Sequence, residues 1–188
     1  MLKGMYTVNR INFANNRIIN RVKALLEEYS ESISVEVMSI VLYGSRARGD
    51  NTSNSDYELL ILLADDTPLK KFISFGENLK LALLKEKYIN VKLLFYTPGI
   101  FEEILYEDEI VGTFLYMICR ENVILYDKYG TFLSIRDRLP NNNRKSEEIF
   151  LSQCVEFSKL FGSEKWERKW ERILMQFRYH NRRRRGIY

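Results

Sequence analysis

Two short apolar runs, set apart by a polar stretch, constrain this chain more than any other feature of its sequence. The first, Ser34–Tyr43, is dense in Val, Ile and Leu and runs into Gly44-Ser45. The second opens with Asp56-Tyr57-Glu58 and continues through Leu59–Leu63. Between them, Arg46 to Ser55 carries Gly49, Asp50, Asn51 and Asn54, residues that favour a turn or short loop. Apolar runs this short, bounded by turn residues, read as buried strands, and a helix would need a longer run.

The rest of the chain alternates accordingly. Ile11, Ile18, Ile19, Val22, Leu25 and Leu26 recur at helical spacing, so Arg10 to Ser30 reads as an amphipathic helix. Asp65-Asp66-Thr67-Pro68 stops the second strand and opens a helix from Pro68 to Tyr88. A third strand, Asn90–Tyr96, closes at Thr97-Pro98-Gly99. Ile100–Tyr106 and Ile110–Cys119 look helical, and a turn at Glu121-Asn122 leads into a short β-like Val123–Tyr126. Pro140 and Asn141–Asn143 mark the clearest boundary, giving a domain over 1–140 and a helical extension over 141–188. The extension reads as two helices, Ser146–Phe161 and Glu164–Arg182, broken at Gly162-Ser163. Trp166, Trp170, Ile173, Leu174 and Phe177 form an apolar stripe on the second, expected to pack on the chain's own body, with a partner protein as the alternative. The expected fold is α/β (α+β): a small mixed sheet with flanking helices and a C-terminal helical annex.

Composition removes several classes of function. With 188 residues, 46% of them hydrophobic and 29% charged, the chain is an ordinary folded protein rather than a disordered one. No apolar run is long enough to cross a bilayer, and Met1–Asn16 has no secretory h-region, so a cytoplasmic location without membrane contact is expected. A single histidine leaves little for a His-based zinc site or a Ser-His-Asp triad. Cys119 and Cys154 sit in apolar stretches and read as buried, reduced thiols. The formal charge of +4 is concentrated at the end: Arg178–Tyr188 holds five arginines and no acid, and the remainder counts 24 basic against 25 acidic residues. Arg182–Arg185 could hold nucleic acid by charge alone, though a solvated helix end explains them at least as well.

The chemistry is carried by Gly44-Ser45-Arg46-Ala47-Arg48-Gly49 and Ser55-Asp56-Tyr57-Glu58. Glycine at a strand end lets the backbone approach a ligand closely. Successive backbone N–H groups and the Ser45 hydroxyl can donate to phosphate oxygens, and Arg46 and Arg48 add forked donors. Asp56 and Glu58 are two apart on a strand, so their side chains leave one face about 7 Å apart along the chain. Adjacent carboxylates repel unless a cation lies between them; beside phosphates, Mg²⁺ suits that place.

Together these segments resemble the signature of the DNA polymerase beta-like nucleotidyltransferase superfamily, and within it the branch of minimal prokaryotic nucleotidyltransferases. The resemblance covers roughly Val35 to Pro98. It implies a small mixed sheet of the nucleotidyltransferase fold, Mg²⁺ on Asp56 and Glu58, and an NTP, ATP being the expected one. Asp56 and Glu58 would be the catalytic pair; Gly44, Ser45, Arg46, Arg48 and Ser55 would bind the nucleotide. The implied reaction moves an NMP from the NTP to a hydroxyl acceptor, in some family members a tyrosine of a small helical partner in a toxin–antitoxin pair.

Two positions depart from the family pattern. Glu58 stands where Asp is usual, and one extra methylene shifts the carboxylate oxygens by about an ångström, enough to cost on the order of a hundredfold in rate. On the third strand, where a further carboxylate is usual, this chain has Lys92. An ammonium there would neutralise Asp56 and Glu58 unless it points to solvent. Two functions follow: an active Mg²⁺-dependent nucleotidyltransferase, or a weakened, antitoxin-like nucleotide binder on the same fold.

Overall fold

The computed structural model describes residues 16–139, 145–160 and 164–184. The Pro140–Asn143 boundary, the break at Gly162-Ser163, Met1–Asn15 (with Ile11) and Arg185 all lie outside the described residues. Among those described, no helix is long and apolar enough to cross a membrane. The chain divides into two compact units, residues 1–100 with 121–134 and residues 101–120 with 135–188. This division differs from a cut at residue 140, because 101–120 group with the C-terminal helices.

The first unit is built on four strands: β1 (Val37–Tyr43), β2 (Tyr57–Leu63), β3 (Val91–Tyr96) and β4 (Val123–Asp127). Their spatial order is β3-β2-β1-β4, with β1 antiparallel to β2 and β4, and β2 parallel to β3. Parallel strands cannot be joined by a tight turn, and the helix between Pro68 and Glu86 supplies the crossover. The end of β1 and the starts of β2, β3 and β4 therefore meet at one end of the sheet. Leu42 pairs with Leu59 and Val123, while Tyr57 pairs with Val91.

Alternation along the strands settles what the helices cover. Ile40, Leu42, Leu59, Ile61, Leu63, Leu93 and Phe95 share a cluster with Ile19, Val22, Leu25 and Leu26 of α1 (Arg17–Ile33) and with Phe75, Leu79 and Leu83. Asn16 starts α1 by accepting hydrogen bonds from the Ile18 and Ile19 amides at 3.0 and 3.1 Å, satisfying two orphan donors of the first turn. Its amide also donates to Tyr57 Oη at 3.0 Å, tying α1 to the first residue of β2.

Two helices are absent from the sequence reading. The polar stretch expected to be a turn begins instead with one helical turn, α2 (Gly44–Arg48), fixed by burial of Ala47 at 1% exposure. With Leu69–Lys85 as α3, Pro98–Glu107 as α4 and Ile110–Arg120 as α5, the other is α6 (Thr131–Arg138). It is too short for a periodic pattern and depends on Asp127, whose carboxylate accepts from the Phe132 and Leu133 amides and from Ser39 Oγ.

In the second unit α7 (Glu147–Leu160) packs on α8 (Glu164–Arg184). The α8 stripe faces inward, with Trp170 at 1% and Leu174 at 9% exposure. Tyr116 of α5 stacks on Phe150 of α7 at 4.4 Å between centroids, and Arg120 pairs with Glu147. Cys119 and Cys154 are free and buried, and burial pushes the Cys119 thiol up to about 12.

Candidate active site

Gly44 follows directly on β1 and has φ +71°, a left-handed value that glycine adopts without cost. Tyr43, the last residue of β1, pairs with Glu58 of β2. The Glu58 side chain bends over the turn: a methyl group built on Gly44 would lie 1.8 Å from Glu58 Oε2 and 2.7 Å from its Cδ. The absent side chain of Gly44 is therefore what makes room for this carboxylate. Asp56 precedes β2 and lies two residues from Glu58, close enough that its charge acts on it.

Burial pushes the Glu58 carboxyl up; Arg48 pulls it down and Asp56 pushes it up again, with the net direction upward. Burial also raises the Tyr43 phenol, with smaller contributions from Glu58 and Tyr96, so Tyr43 stays protonated beside the carboxylate. Native Glu58 keeps its proton at pH values where the unfolded chain has lost it. The stability this contributes is complete below the ordinary value of 4.5 and is lost as pH rises through the raised native value. Urea titrations of wild type and Glu58→Gln across that window should show the wild-type advantage shrinking as pH rises. A flat difference would contradict the placement of Glu58.

The two motif arginines have different neighbours. Arg46 donates from Nε and Nη2 to the Ser55 carbonyl, at 3.0 and 2.6 Å, and lies 3.9 Å above the Tyr57 ring. Ser55 Oγ accepts from the Thr52 amide at 2.9 Å. Arg46 and Ser55 thus brace the connection between α2 and β2 against itself. Arg48 closes α2; its Nε donates to Asp50 Oδ2 at 3.3 Å, and its Nη1 lies 3.7 Å from Glu121 Oε2. Glu121 escaped the sequence reading, which took it for part of a turn. The only signal for it is its place just before β4, where the pairing of Leu42 with Val123 brings that turn beside Gly44.

Lys92 pairs with Glu58 in the parallel β2–β3 ladder, so both side chains leave the same face of the sheet. It is exposed, and the cation that acts on the Glu58 carboxylate is Arg48. Solvent, rather than the acidic pair, takes the Lys92 ammonium.

Among the described residues no group of three or more His, Cys, Asp and Glu side chains could hold a metal ion. What remains is a pair, Asp56 and Glu58, of which Glu58 is half-buried. Among the described residues, neither carboxylate accepts a hydrogen bond, and the Ser45 hydroxyl makes none. Half-buried carboxylate oxygens without donors want a cation. A pair of this kind suits Mg²⁺, which takes one or two protein carboxylates and completes its shell with water and phosphate oxygens.

The family model described as Polymerase beta, Nucleotidyltransferase matches residues 20–129, a span that contains the whole arrangement. Among solved structures, one of a toxin–antitoxin with AMP-PNP is similar at 14% identity and a TM-score of 0.36, covering 62% of this chain and 82% of that one. A mutant of the toxin–antitoxin MntA-HpeT is similar at 16% identity and a TM-score of 0.37, covering 63% and 81%. No curated protein matches the chain.

Proposed function

The chain belongs to the polymerase beta nucleotidyltransferase family, and from that premise we propose that it transfers an NMP from an NTP, with Mg²⁺, to a hydroxyl acceptor. The observation that carries the proposal is the Glu58 carboxylate seated on Gly44, with the charge of Asp56 acting on it. Gly44 leaves room for the Glu58 carboxylate at the turn, Ser45 donates to the triphosphate's oxygens, and Arg48 adds a fixed cation. Asp56 and Glu58 would hold Mg²⁺, whose chemistry when bound is to neutralise phosphate charge and lower the acceptor's pKa. The acceptor oxygen forms a bond to the α-phosphorus, the bond to the β-phosphate's bridging oxygen breaks, and pyrophosphate leaves with that electron pair. The acceptor's proton passes to solvent. ATP is the expected nucleotide, and a small helical partner protein of toxin type is the proposed carrier of the acceptor, an expectation taken from the family resemblance.

A second reading, a weakened or inactive nucleotide binder of antitoxin type, draws support from the same residues. Glu58 replaces the family's usual Asp, and its neighbour in the ladder is Lys92, where the family usually has a third carboxylate. Incubation with each labelled NTP and Mg²⁺, with and without candidate partner proteins, followed by intact-mass measurement, separates the two. A gain of one NMP mass supports transfer. Binding of ATP without Mg²⁺-dependent turnover favours the second reading.

Lys92→Asp offers a sharper comparison. It adds a carboxylate to Glu58's row at an exposed position, where the fold tolerates it. Mg²⁺ affinity should rise roughly three- to tenfold, as expected when a positive charge is replaced by a negative one at an exposed, solvent-screened position a few ångströms away. Transfer should rise with it. An unchanged Mg²⁺ affinity, measured by calorimetry, would mean that position 92 does not look into the site.

A further inference from the structure

Position 48 separates the two arginines that the motif presents as equals. Arg46 has its Nε and Nη2 on one backbone carbonyl and its plane on the Tyr57 ring, so moving it would release Ser55 and open the connection into β2. Arg48 meets two carboxylates, Asp50 from the loop and Glu121 from the turn before β4. Both it and Glu121 are largely sheltered, at 22% and 11% side-chain exposure, so these charges meet in a drier setting than a surface pair. Its charge also reaches Glu58. Asp50 and Glu121, from two different segments, thus flank one guanidinium.

We propose that Arg48 is the motif arginine that contacts the nucleotide's phosphates, and that Glu121 is its positioning residue. The proposal rests on the nucleotide reading above. A guanidinium is a rigid fork on a flexible stem, and its value to a phosphate depends on how much freedom is lost when the bond forms. An acid on each side of the fork removes that freedom beforehand. Glu121 does this from the turn that leads into β4, beside the β1–β4 pairing, and so links the position of β4's first residues to the phosphate donor. Arg46 braces the loop and makes no phosphate contact.

The test is calorimetric titration of the full chain with non-hydrolysable analogues of the four nucleoside triphosphates in Mg²⁺. Arg48→Ala should weaken binding roughly ten- to a hundredfold, the range for a charged hydrogen bond lost. Glu121→Gln should weaken it about three- to tenfold and Glu121→Asp less than that. In the Arg48→Ala background, Glu121→Gln should have no further effect, a non-additivity that a general loss of stability would not produce. Arg46→Lys should lower the melting temperature more than the affinity. Additive losses for Arg48→Ala and Glu121→Gln, tighter binding by Glu121→Gln, or a larger affinity loss at Arg46 than at Arg48 would each overturn the proposal. Failure of the wild type to bind any analogue would overturn the nucleotide reading and this inference with it. Binding by the wild type that Glu121→Gln leaves unchanged overturns the inference alone.

Discussion

Asp56→Ala should abolish nucleotidyl transfer, by at least about a hundredfold, while leaving the chain as stable as before. The activity loss follows from the shortness of the donor set: with only two carboxylates on the pair, removing one leaves Glu58 alone to hold a dication against water. The unchanged stability follows from position. Asp56 lies before β2 and half-exposed, where among the described residues its carboxylate braces no backbone group. Its charge pushes the Glu58 carboxyl up, so Asp56→Ala should also move Glu58 back down toward the ordinary carboxylate range. Pyrophosphate release measures the first effect, thermal melting the second, and carboxyl-resolved NMR titration the third. Transfer surviving in Asp56→Ala would remove the acidic pair from the mechanism. A fall in melting temperature with Glu58 unmoved would make Asp56 a structural residue.

Gly44→Ala should be nearly as damaging, by a different route. Alanine at φ +71° costs about 1–2 kcal/mol of backbone strain. Its methyl group would also meet the end of a flexible side chain, Glu58 Oε2 at 1.8 Å, and that carboxylate must swing away. The fold should survive and the site should not, with Mg²⁺-dependent binding reduced at least tenfold. Gly130→Ala is the matched control: φ is +68° and a methyl there would have nothing within 4 Å. Both variants should lose similar stability in urea, and only Gly44→Ala should lose the cation. Equal retention of Mg²⁺ by the two would show that Glu58 does not need its place on the turn.

The strands and the crossover helix were legible in the sequence because each is written in local pattern. Apolar runs bounded by turn residues name the strands. Family and fold class follow from the same segments. The helical turn Gly44–Arg48 was missed because five polar and small residues show no period, and only the burial of Ala47 fixes it. Glu121 was missed because its meeting with Arg48 is made by strand pairing across distant sequence, which no local rule reaches. Lys92 illustrates the opposite case. The sequence placed it beside the acids, as the ladder does, but whether its long stem turned inward or into water depends on surroundings that a strand pattern does not encode.

Four chain segments reach one end of the sheet: β1 as it finishes, and β2, β3 and β4 as they begin. β1 brings its last residue there and the other three their first, while the rest of each strand runs back into the sheet. Chemistry and packing are therefore assigned to different stretches of the same strands. On the proposed function, exchanges at Gly44, Asp56, Lys92 or Glu121 should alter what the rim binds and leave the interior that holds the sheet together as it was. A chain arranged in this way can gain, weaken or lose an activity through single substitutions at its rim without ever ceasing to fold.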